Sequence, residues 1–101
     1  MAINTQSLFD QKSNQYGAGV SPKRFLADFI TAVNRSLYTI HFEVGPDADS
    51  ITDLQTDIDL DGKYEPVLSM LVDLNLANMG GYEGDIQMLA VMAKDMKRSA
   101  R

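Results

Sequence analysis

Asp57, Asp59 and Asp61 stand two residues apart and are followed by Gly62. This is the spacing of the first half of a calcium loop, where alternate carboxylates and a glycine turn wrap a hard cation in oxygen ligands. The second half does not follow. Loop position seven falls on Lys63, and position twelve, where a bidentate carboxylate closes such a site, falls on Leu68. The triplet is a weak metal candidate, and it reads better as the outward edge of a short strand whose inward residues are Ile58 and Leu60. His41 is the one histidine and there is no cysteine. A zinc set of Cys and His ligands, a disulfide and a thiol nucleophile are thereby excluded for a single chain. Ser36, Ser50 and Ser69 lie in no nucleophile-elbow motif, and Gly17-Ala18-Gly19 is a turn rather than a phosphate loop. The carboxylates of 47–61 have no apolar surroundings to shift their pKa values. No catalytic residue and no cofactor is expected, and the chain is expected not to be an enzyme.

The elements around these residues are mainly α. Ser21 suits an N-cap and Pro22 the first helical position, with Val20 and Phe25 placed for a hydrophobic staple. Phe25, Phe29, Val33 and Leu37 then recur every fourth residue, so a long helix is expected over about 22–39. Residues 38–44 are β-prone, and a minor β element is expected within 40–62. Pro66 must lie in a first turn. An αα-hairpin is therefore expected, with helices at about 64–79 and 82–98 joined at Gly80-Gly81. In its second helix Tyr82, Ile86, Leu89, Ala90, Ala93 and Met96 mark the expected buried stripe. The methionines around them are expected mostly to fill core, with a re-packable binding face as the lesser reading. The fold class is a small helical bundle, a single domain over 1–101. An extended or partly helical N-terminal arm occupies 1–20, and a long acidic loop with short strands occupies 45–62.

The chain has 101 residues and a net charge of −5, unevenly spread. Residues 43–65 hold eight acidic residues against Lys63, whereas 94–101 hold Lys94, Lys97, Arg98 and Arg101 against Asp95. An acidic balance argues against general nucleic-acid binding, which needs clustered cations. No apolar run is long enough to cross a membrane, and the start lacks the basic and apolar regions of a signal peptide. Leu8 and Phe9 would be costly to leave in water together, so the arm packs on its own helices or on a neighbour. With Tyr16, Ile51, Leu54, Lys97, Arg98 and Arg101 they form the expected set of partner contacts.

Two stretches resemble a known family. The first is Phe9-Asp10, Ser13-Asn14-Gln15-Tyr16-Gly17, Val20-Ser21-Pro22-Lys23-Arg24-Phe25, Phe29-Ile30 and Ala32-Val33-Asn34-Arg35-Ser36-Leu37. The second is Ile58-Asp59-Leu60-Asp61-Gly62-Lys63-Tyr64-Glu65-Pro66-Val67-Leu68, leading into a Leu-rich helix. Together they are similar to the head-to-tail adaptor (connector, head-completion or neck) proteins of tailed bacteriophages. The resemblance implies a structural virion protein, made in the host cytoplasm and located at the head-tail junction. It implies a homo-oligomeric ring, commonly of twelve copies, that contacts the portal protein and tail or other neck proteins. DNA would pass through without specific binding, and no membrane is involved. The alternatives are a small phage-encoded helical regulatory or binding protein and a calcium-dependent interaction module.

Overall fold

Ser21 opens the longest element as its spacing predicts. Its hydroxyl accepts the Arg24 N–H at 3.2 Å, and helix α2 runs Pro22–Glu43. The structure is a computed structural model and describes residues 2–101. Before α2 comes α1, Thr5–Tyr16, capped by the Asn4 side chain accepting the Ser7 N–H. After α2 a long irregular segment leads into a single 3-10 turn at Gly62–Tyr64. Helix α3, Glu65–Met79, follows directly with Pro66 in its first turn. Helix α4, Ile86–Ala100, starts at Asp85, whose carboxylate accepts the Met88 N–H at 3.1 Å.

The bundle is mainly helical, as the apolar periodicity predicts. Helix α3 is its centre, packed against both α2 and α4. Val67, Leu68, Leu71, Val72, Leu76 and Ala77 are buried around most of its circumference, the pattern of a helix enclosed by neighbours. Helix α1 closes over α2 and α3, with Leu8 in the core and the Phe9 ring edge-on to Phe29 at 5.2 Å. The whole is a slab of 36 × 32 × 17 Å.

Three boundaries differ from the sequence-based expectation. Helix α2 continues through 40–43, where a β-prone stretch was expected. Ile40 is fully buried there and Glu43 meets Lys97, so tertiary contacts outweigh local propensity. The expected minor β element of 40–62 does not form among the described residues. Extended pairing is limited to one isolated antiparallel bridge, Ile3 with Ile58. The loop is instead pinned by side chains: Asn34 donates to the Ile51 carbonyl at 2.9 Å and accepts the Ile51 N–H at 2.8 Å. Helix α4 begins at Ile86 rather than near Tyr82. Gly80 and Gly81 both take positive φ, 78° and 82°, so the chain breaks there and stays irregular until the Asp85 cap.

Candidate interaction surface

The acidic triplet occupies the surface. Ile58 and Leu60 turn into the core, which leaves Asp57, Asp59 and Asp61 exposed. Asp61 accepts the Lys63 N–H at 3.0 Å, and that bond holds its carboxyl below the usual range. Asp53 behaves alike, lowered chiefly by the Thr56 N–H. These carboxylates are thus occupied in shaping turns. Among the described residues no group of three or more His, Cys, Asp or Glu is placed to hold a metal ion. His41 Nδ1 lies 3.7 Å from Asp47 Oδ1, and both side chains face solvent.

Two polar clusters join distant segments, the first buried and the second partly open to solvent. Lys12, only 2% exposed, reaches from α1 to α3, where its Nζ lies 2.7 Å from Ser69 Oγ and 2.8 Å from Asp73 Oδ1. Burial pushes the nearby Tyr16 hydroxyl well above its ordinary pKa, and the Asp73 charge adds to this. At the other end, Tyr82 donates to Asp28, while Arg24 lies over its ring at 5.9 Å and beside Asp28. Burial, with that hydrogen bond second, pushes Tyr82 up to about 12. Both clusters tie distant segments together, and a cleft of about 310 Å³ between Tyr16 and Tyr82 separates them.

The expected partner contacts divide. Leu8 and Ile51 are buried within this chain, so for them the expectation is corrected: the arm and the loop cover their own core. Phe9, Tyr16 and Leu54 are half-buried against the same core, Tyr16 meeting the Tyr82 ring edge-on at 6.5 Å. Lys97 Nζ lies 3.0 Å from Glu43 Oε2, and Arg101 Nε donates to the Glu43 carbonyl at 2.9 Å. Both cations therefore latch α4 to the end of α2. Arg98 points to solvent and forms no ion pair among the described residues.

The surfaces left uncovered lie elsewhere. On α4 only Ala93 is fully buried, with Leu89, Met96 and Ala100 beside it at the α3 contact. The expected inward stripe is therefore narrower than its pattern suggests. Ile86 and Ala90 are exposed, because α3 covers only one edge of the helix. On the opposite side Met88, Val91 and Met92 are 55%, 61% and 42% exposed. Open clefts run along α4, one beside Pro66, Val67 and Met96, another beside Tyr16, Gly84 and Met88. The second uncovered surface is on α2. Tyr38 and Phe42 stack with ring centres 6.0 Å apart and are 69% and 77% exposed. Both surfaces are visible in retrospect as apolar residues three or four apart, on the helix sides opposite the main stripes. Comparisons with family models, with curated proteins and with solved structures return no match to this chain.

Proposed function

We propose that this chain is a structural subunit of a tailed-bacteriophage neck, assembling as a ring between portal and tail through which DNA passes. The observation that carries the reading is the pair of uncovered apolar surfaces, Met88-Val91-Met92 and Tyr38-Phe42, on a small helical slab. Contiguous apolar surface of this kind marks sites of protein association. Two separate surfaces of unlike composition suit a repeating contact, in which each copy offers one to the next. The resemblance of 9–37 and 58–68 to neck adaptors supplies the setting. The acidic balance of the chain fits a passage for DNA, because carboxylates near a duplex repel its phosphates and leave it free to slide.

The test is protein identification by mass spectrometry on purified phage particles from a host expressing the surrounding phage genes. A neck subunit is present at a fixed, multiple copy number, and imaging of the neck shows its rotational symmetry. Absence from particles, with the chain recovered free in the lysate, would favour the regulatory or binding-protein reading instead.

A further inference from the structure

We propose that α4 is an exchangeable element: the seat it occupies on α3 also receives α4 of a second copy of this chain, so that copies are joined by swapped helices. That seat is narrow. Of the 15 residues of α4 only Ala93 is fully buried, with Leu89, Met96 and Ala100 half-buried beside it. A cleft of about 410 Å³ opens at the start of the helix beside Tyr16, Gly84 and Met88. Another of about 370 Å³ opens at its far end beside Pro66, Val67 and Ala100. Among the described residues, the only side-chain bonds that tie α4 and Arg101 to other elements run to Glu43, from Lys97 and from Arg101. A segment that buries so little apolar surface opens at low free energy while the rest of the fold stays closed.

The link before α4 divides the chain at one point. Tyr82 is a fixed post: its ring packs against Phe25 and Tyr16, and its hydroxyl donates to Asp28. Beyond it Glu83, Gly84 and Asp85 are all exposed. Release of α4 therefore leaves the post and the body of α1, α2 and α3 in place. A second copy presents the same α3 face and the same Glu43, so its seat returns the contacts that release gives up. Exchanging an identical element in this way is a low-cost route to association. What tips the balance is a new contact. Tyr82 stays in the donor and the Asp85 cap travels with the helix, and at full stretch these residues are about 11 Å apart. The donor body is thus drawn against the receiving copy at the start of α4. Ile86 and Met88 lie there, 45% and 55% exposed in the single chain, and the contact takes them out of water. The closed chain competes through its own short tether, whose effective concentration is in the millimolar range, so exchange emerges as the protein approaches it. Exchange does not require the neck reading; in a ring, each copy would hand its helix to the next.

The experiment mixes equal amounts of ordinary and heavy-isotope-labelled chains at millimolar concentration, held just below the melting temperature. Associated and monomeric fractions are separated by size exclusion and treated with a carbodiimide, which joins a carboxylate to an amine in contact with it. Lys97 Nζ lies 3.0 Å from Glu43 Oε2, so this pair reports which copy α4 sits on. In the monomer, Glu43–Lys97 linked peptides are expected to carry one label throughout. In the associated fraction, half of them are expected to join a heavy chain to an ordinary one. Association in which every such peptide carries a single label means that closed chains dock, and it overturns the proposal. A wild type that stays monomeric throughout also overturns it. Met88→Glu provides the second arm. The position is exposed, so circular dichroism and melting temperature should match the wild type, while association weakens by roughly tenfold or more. Unchanged association of this variant overturns the contact at the start of α4. The purified chain decides exchange and particle composition decides the neck reading, so each can fail alone.

Discussion

Replacing Lys12 by Met removes a charge that the structure places almost entirely out of water. Its ammonium lies 2.8 Å from Asp73 Oδ1, an atom that is itself buried, and 2.7 Å from Ser69 Oγ. Met has similar length and fills the same channel, so the substitution isolates the electrostatic part. Removing one member of a buried pair costs about 3–5 kcal/mol, because the partner charge is left uncompensated. The Asp73 side chain keeps 12% of its exposure, so some water still reaches it and the lower figure, ~3 kcal/mol, applies. That is a large part of the 5–15 kcal/mol typical of a domain, and at about 4–8 °C per kcal/mol the melting temperature should fall by at least ~12 °C. The control is Lys12→Met with Asp73→Leu. An apolar pair of matching volume should recover most of the loss, ending within about 1.5 kcal/mol of the wild type. Thermal and urea unfolding of the four chains form a double-mutant cycle, with an expected coupling of at least ~2 kcal/mol. Additive single losses, or a Lys12→Met chain less than ~1 kcal/mol weaker than the wild type, would refute the claim that this pair ties α1 to α3.

Three further outcomes follow from the geometry. Asn34→Ala should cost about 2–3 kcal/mol, since both backbone groups of Ile51 lose their partner; hydrogen exchange at the Ile51 amide should accelerate well beyond that of the α3 core. Ser21→Ala should cost about 1 kcal/mol through loss of the bond to the Arg24 N–H, checked by urea titration. Tyr82 titrates higher folded than unfolded, so the stability it contributes is complete below its ordinary value of 10 and is lost as pH rises toward about 12. The gap in melting temperature between wild type and Tyr82→Phe should therefore narrow across that window.

The signals that read correctly along the chain are local ones. The Ser21-Pro22 start and the repeat of Phe25, Phe29, Val33 and Leu37 depend on neighbours within one or two turns, and α2 forms on that face. Pro66 and the paired glycines likewise mark where α3 begins and ends. What could not be read is what distant segments do to one another. Lys12 is a cation in a polar helix, and nothing in its neighbourhood announces that Asp73 and Ser69 will bury it. Ile58 and Leu60 alternate as a strand would, yet the partner found by Ile58 is a single residue near the start of the chain. On α4 the failure is of another kind. Periodicity gives the angles between apolar residues, and α4 carries two apolar stripes; only the placement of α3 decides that Leu89, Ala93 and Met96 face inward and Met88, Val91 and Met92 do not.

The bonds that hold α1 span long stretches of sequence: Thr5 to Thr56, Lys12 to Ser69, and Ile3 to Ile58. A ribosome makes these partners in order, and at about 5–20 residues per second the interval between Tyr16 and Tyr82 is roughly 3–13 s. During it α1 has only the Phe25-Phe29 face of α2 to lie on and lacks the α3 groups that bind Lys12. A helix of 12 residues is marginal by itself, so the segment emerges with Leu8 and Phe9 uncovered and largely unstructured. Docking waits until α3 has left the exit tunnel, and closure around Tyr82 comes later still. A ribosome paused before Ser69 therefore displays α1 without its α3 seat, and Leu8-Phe9 is the grip it offers to a chaperone.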